Sequence, residues 1–109
     1  MLDTVPYDTF ASLDIRVARV VAAEPIPGRT RILRGTIDMG TEERTVIIGG
    51  AQHFAPEEMV GKNVIVVVNL EPKVVAGIRS EAMLLAADID GKPVWLTANG
   101  DVPLGNRIR

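Results

Sequence analysis

Two stretches of this chain are rich in cations and free of acids. Residues 25–37, PIPGRTRILRGTI, carry Arg29, Arg31 and Arg34, and residues 72–80, PKVVAGIRS, carry Lys73 and Arg79. Cations of this kind suit phosphate oxygens, because each phosphate neutralised releases condensed counterions. Arginine adds a planar fork that stacks on bases, whereas lysine acts as a point charge. Asn69, ahead of the second window, and Ser80, at its end, offer hydrogen bonds to ribose, phosphate or a base edge. Met83 offers a polarisable platform beneath a base, although a Met in AMLLAA also suits a core. Alternation along a strand puts Arg29 and Arg31 on one side and Arg34 on the other, unless Gly35 marks a bulge. Ser80 and Met83 are three residues apart and share a site only if the strand is interrupted between them.

Other chemistries lack their residues. His53 is the sole histidine and cysteine is absent, which removes thiolate–imidazole pairs, multi-histidine metal sites and disulfides. His53 reads as a packing or capping residue ahead of a helix. Glu57 and Glu58 read as helix-start acids, not as a catalytic pair. VIIGGAQ has no phosphate-loop or dinucleotide fingerprint. The reading is a binding protein, not an enzyme, with no cofactor and no metal.

Net charge is −2 over 109 residues, so the chain is not a general nucleic-acid binder, and any anion site must be local. Apolar content of 47% and charged content of 24% are those of a soluble globular protein. The longest strongly apolar run, residues 64–68, is too short for a bilayer, and the N-terminus does not read as a secretory signal. A cytoplasmic location is expected. Aromatic residues are few (Tyr7, Phe10, Phe54 and Trp95) and none falls in either basic window, which favours recognition of a folded RNA's shape and backbone over stacking on single strands.

The elements that position these residues read mostly as strands. Largely apolar segments at 14–23, 30–40, 44–50, 63–70 and 82–89 form five strands, with a sixth short strand at 92–98. APEEMVG, 55–61, is a short helix: Pro56 suits its first position, Glu57 and Glu58 its positive end, and Gly61 its stop. Residues 7–13 form a short N-terminal helix. Strands do not alternate with long helices, so the fold class expected is all-β: a five-stranded Greek-key OB-fold barrel with a short helix between strands three and four. One domain over 1–109 is expected. The crossing at 71–83 is longer than a hairpin turn of two to five residues and reads as a binding loop.

The fourth strand is apolar on both faces, with Val64, Val66 and Val68 on one and Ile65 and Val67 on the other. A barrel has one interior, so the outer face needs a cover from the helix at 56–60 or a second subunit. Trp95, Leu96, Val102, Leu104 and Ile108, with Phe10 and Leu13, are surplus to five strands and are predicted to build a homodimer interface; the alternative is that they plug one barrel end.

FASLDIRVARV (10–20), VVNLEPKVVAGIRSEAMLLAAD (67–88) and VPLGNRI (102–108) resemble the tRNA-binding domain of the endothelial monocyte-activating polypeptide II type. That domain ends many methionyl-tRNA synthetases and also occurs as stand-alone dimeric tRNA-binding proteins. Asn69, Lys73, Gly77, Ser80 and Met83 match its signature; Ala76 stands where arginine is usual, and Arg31 falls at a lysine position. AGIRSE is also similar to the CsaA branch, small dimeric OB-fold proteins that act as peptide-binding chaperones in export. The resemblance implies a stand-alone dimeric protein that binds folded tRNA, as an auxiliary to methionyl-tRNA synthetase; taken with the basic windows, it puts the site at Lys73, Arg79, Ser80, Asn69, Arg31, Met83 and Arg29. The alternative it implies is a CsaA-like chaperone for unfolded or secretory polypeptides.

Overall fold

The computed structural model describes residues 1–109. Helix α1 (Tyr7–Ala11) precedes three strands, β1 (Ile15–Pro25), β2 (Ile32–Asp38) and β3 (Glu43–Gly49). A 3-10 turn (Ala51–His53) and helix α2 (Pro56–Met59) lead into β4 (Asn63–Val67). Six short strands follow: β5 (Lys73–Val75), β6 (Ile78–Ser80), β7 (Met83–Leu84), β8 (Ala86–Ile89), β9 (Lys92–Trp95) and β10 (Arg107–Ile108). The main sheet runs β3-β2-β1-β4-β7, all antiparallel, with β10 added to β1.

β1 is long enough to hold this sheet together. Residues 15–19 pair with β4 on one edge, and residues 19–25 pair with β2 on the other. β10 fills the edge beside Ile15 and Arg16 that β2 leaves open. The sheet then curls until β3 meets the segment ahead of β7. There the Glu81 amide donates to the Thr45 carbonyl (3.0 Å), and the Arg44 guanidinium donates from one nitrogen to the carbonyls of Val68 (2.6 Å) and Glu81 (3.1 Å). The result is an all-β, nearly closed antiparallel barrel of the OB type, with a short helix between β3 and β4, as the strand pattern predicts.

Two apolar clusters share β4. Val64 and Val66, both 0% exposed, face the barrel interior with Val20, Ile37, Val46 and Ile48. Ile65 and Val67, 8% and 4% exposed, face outward and pack with Ile15 and Val17. Each such side chain contributes roughly 1.5–3 kcal/mol when fully buried. The cover expected from α2 for the outer face is not there: Met59 points into the barrel and lies in the inner cluster. The chain's own Leu13, Leu85, Val102, Leu104 and Ile108 supply it instead. Trp95, predicted for a dimer interface, packs against the inner cluster, edge-on to Phe54 with centroids 6.0 Å apart.

Local punctuation follows the sequence in some places and departs in others. Pro56 opens α2, and the Glu58 carboxylate accepts from the Ala55 amide (3.2 Å). His53 neither caps nor packs; its ring is exposed and makes no hydrogen bond. The β-bulge expected at Gly35 lies on the partner strand, where Val21 is skipped between the pairs Val20–Ile37 and Ala22–Thr36. Gly35 pairs regularly and is small for another reason: a Cβ there would sit 2.5 Å from Ile48 Cδ1. The fifth expected strand is two: β7 closes the barrel, while β8 turns through Asp90 and Gly91 to pair with β9.

The last turn of chain is locked by a close approach. The Gly105 amide donates to the Val17 carbonyl (2.7 Å), and the Val17 amide donates to the Asn106 carbonyl (3.0 Å). Gly105 has φ +85°, and a Cβ there would collide with the Met39 carbonyl. Gly105→Ala combines left-handed strain with a backbone clash, so a loss of about 2 kcal/mol or more is expected. In thermal unfolding this should appear as a Tm lower by roughly 10 °C; an unchanged Tm would show that the C-terminal segment does not hold the outer layer.

Candidate nucleic-acid interface

The crossing between β4 and β7 is not a loop but a hairpin. β5 and β6 pair through Lys73–Ser80, Val74–Arg79 and Val75–Ile78, leaving Ala76 and Gly77 as a two-residue turn. Both turn residues are left-handed, φ +52° and +77°, as a type I′ hairpin demands. Gly77 adopts this without strain, whereas Ala76 does so at a cost on the order of 1 kcal/mol. The Asp90–Gly91 turn of the next hairpin has the same form, φ +50° and +87°. Asp-Gly between apolar runs is a strong hairpin signal that the sequence displays openly; Ala-Gly is not.

Register divides the expected site between two faces. Directly opposed residues share a face, so Lys73, Ser80 and Val75 lie on one side of the hairpin, and Arg79 lies with Val74 on the other. The Lys73 face borders a cavity of about 290 Å³ with Leu70, Ile47, Ser80 and Met83. Ser80 and Met83 meet there because the strand breaks at Glu81 and Ala82. Met83 is 46% exposed and stands between this cavity and a second of about 280 Å³ lined by Ile48, Gly49, Pro93 and Trp95, so it is not a core residue. On the other face Arg79 borders a polar cleft of about 230 Å³ with Thr45, Glu81 and Arg34, a cation absent from the expected site. The signal for Arg34 was present in the first basic window, but only the hairpin's position reveals its partner.

Four expected residues sit elsewhere or are already engaged. Arg29 and Arg31 precede β2, not on one side of a strand, and line neither hairpin cavity. Both are exposed, and the Arg31 carbonyl accepts from the Ala51 amide (3.1 Å). Asn69 is engaged within the chain through both ends of its amide: its Oδ1 accepts from the Asp14 amide and its Nδ2 donates to the Ser12 carbonyl, both at 2.7 Å. Ser80 Oγ accepts from the Ile47 amide (3.0 Å) and donates to the Ala82 carbonyl (3.2 Å), which fastens β6 to the free edge of β3. Lys73 and Arg79 form no ion pair and are exposed.

The tightest charge pair lies away from the hairpin. Arg16 donates to both oxygens of Asp14 (2.7 and 3.2 Å) and to the Gly105 carbonyl (3.1 Å). The hydrogen bond from Arg16 holds the Asp14 carboxyl below its usual value. This pair ties β1 to the C-terminal segment and leaves the hairpin cations free for a ligand.

Ser80 thus positions the hairpin. Ser80→Ala leaves the Ile47 amide without its acceptor and is expected to cost about 1 kcal/mol. Amide exchange across β5 and β6 should accelerate several-fold while β1 and β2 stay protected; uniform protection across both sheets would show that the hairpin does not depend on this hydroxyl.

The chain is similar to known proteins along nearly its whole length. Residues 15–107 match the family described as "Putative tRNA binding domain". Methionine–tRNA ligase of Methanothrix thermoacetophila is 47% identical over 96% of this chain, and that of Thermotoga maritima is 41% identical over 97%. The chain spans 16% and 17% of the length of those ligases. Among solved structures, a MetRS related protein from Pyrococcus horikoshii superposes with TM-score 0.92 at 35% identity, covering 99% of this chain and 100% of that one. The chaperone CsaA from Bacillus anthracis superposes with TM-score 0.88 at 30% identity, covering 98% and 100%. The barrel, the cationic hairpin and these likenesses agree: the chain belongs to the tRNA-binding domain family.

Proposed function

We propose that this chain acts in the cytoplasm as a dimeric, stand-alone tRNA-binding protein, one OB-fold domain over 1–109, that recognises folded tRNA by shape and backbone charge. The observation that carries this reading is a hairpin with two unpaired cations, Lys73 and Arg79, projecting from the barrel of a tRNA-binding family member. No aromatic ring lies on the hairpin, so base stacking along a single strand has no platform there, and contact with the phosphate backbone is the chemistry left. Its likeness to methionine–tRNA ligases supports a role beside methionyl-tRNA synthetase in holding tRNA.

Dimerisation would strengthen a site with few cations by raising the effective concentration of the second barrel. An apolar groove of about 510 Å³ on the outer face supports it, lined by Phe10, Ile65, Leu85, Leu96 and Val102. Phe10 and Leu96 remain 40% and 43% exposed there. The same groove, with the likeness to CsaA, supports a second reading in which it holds an extended apolar stretch of an unfolded or secretory polypeptide.

Titration of folded tRNA at low and physiological salt separates the two. Binding is expected at low salt, weakened about tenfold by Lys73→Ala and by Arg79→Ala, with a steep loss as salt rises. No binding at low salt would overturn the tRNA reading, and binding indifferent to both substitutions would move the site off the hairpin. Light scattering at tens of micromolar should give twice the chain mass, and Leu96→Glu should halve it; a monomeric mass for the unaltered chain would defeat the dimer.

A further inference from the structure

We infer that Arg34, on β2, forms with Arg79 and Thr45 a phosphodiester site on the face of the hairpin opposite Lys73, so that RNA backbone is held on both sides of β5–β6. The inference rests on the tRNA reading and assigns it a residue and a geometry.

The strand pattern brings these groups together. On β2, Leu33, Gly35 and Ile37 point into the barrel, so Arg34 points out. On β3, Val46 and Ile48 point in, so Thr45 points out as well. Ser80 Oγ on the Ile47 amide and the Glu81 amide on the Thr45 carbonyl then hold β6 along β3, which carries Arg79 over Thr45 and Arg34. The three line one polar cleft of about 230 Å³ with Gly77, Ile78 and Glu81.

Two cations share this cleft, and neither has a strong partner. Arg79 has no ion pair or side-chain hydrogen bond. Arg34 reaches only Glu24, at 3.9 Å, with the two side chains 50% and 68% exposed, a contact of little worth in water. By contrast Arg16 and Arg44 are spent on Asp14, Glu42 and backbone carbonyls. Glu81 lines the same cleft and leaves it one positive charge in excess, which matches the single charge of a phosphodiester. Two guanidinium forks and a hydroxyl supply donors for its two free oxygens. The Lys73 face, bordered by Leu70, Glu71 and Met83, offers a single cation, so the paired guanidinium donors lie at Arg34 and Arg79 and Lys73 adds one contact on the other side.

Two measurements test this. In the first, inorganic phosphate is titrated into the protein while the arginine Nε–H signals are followed by NMR. Arg34 and Arg79 should shift together, with Arg16 as the unmoved reference; if Arg34 moves no more than Arg16, the site does not exist. In the second, the salt dependence of tRNA binding is compared among the unaltered chain, Arg34→Ala, Arg34→Lys and Glu81→Gln. Arg34→Ala should weaken binding about tenfold and lower the slope of log K against log salt by about 0.7–0.9, the loss of one phosphate contact. Arg34→Lys should restore the slope, and Glu81→Gln should tighten binding several-fold. An unchanged slope in Arg34→Ala, with tRNA still bound, would overturn the inference while leaving the tRNA reading intact. Phosphate shifts at Arg34 and Arg79 with no tRNA binding by the unaltered chain would overturn that reading and uphold the anion site. Equal response to an acidic peptide and to tRNA would overturn its assignment to RNA backbone.

Discussion

A strand buried on both faces sets the terms for everything around it. Val64 and Val66 demand a barrel interior, while Ile65 and Val67 demand a second apolar layer outside it. The interior is met by the curl of five strands and by Met59 from α2. The outer layer has to come from beyond those strands, and it comes from both ends of the chain: Leu13 at one and Val102, Leu104 and Ile108 at the other. What these residues leave uncovered is the groove at Phe10 and Leu96. The function readings divide over that remainder, because a second subunit and an apolar peptide satisfy the same exposed surface.

Closing the barrel also places the β5–β6 hairpin. β3 would otherwise present an open edge, which invites pairing with other chains. Ser80, Glu81 and Arg44 occupy that edge with one hydroxyl, one amide and one guanidinium. Polar groups fastening the seam therefore also fix the hairpin's direction. Ser80, whose type suits RNA contact, is spent on this seam, and Asn69 is spent on the segment ahead of β1; both hold the frame and leave the hairpin cations beside them unpaired.

Much of this was legible in the sequence. The first four apolar runs, the two-faced fourth strand and the helix opened by Pro56 are local patterns and appear where they were expected, whereas the fifth run divides into β7 and β8. The resemblance in FASLDIRVARV, the 67–88 segment and VPLGNRI identified the family. What sequence could not supply was anything set by register. That Lys73 and Arg79 face apart follows from a two-residue turn at Ala76 and Gly77, and alanine gives no warning of a left-handed residue. That Arg34 approaches Arg79 follows from how β6 docks on β3, a contact between segments far apart in the chain. Trp95 was misplaced for a similar reason: an aromatic late in the chain reads as surplus until its partner Phe54 is known.

The pairing of β10 with β1 carries a consequence for how the molecule is made. Ile15 aligns with Ile108, so nearly the whole chain lies between two strands that must meet. Contacts of such long sequence separation form slowly, since a large loop must close before they repay its entropy. Without that closure Ile65 and Val67 keep only the cover of Leu13 and Leu85, so the outer layer is completed by the contacts that span the most chain.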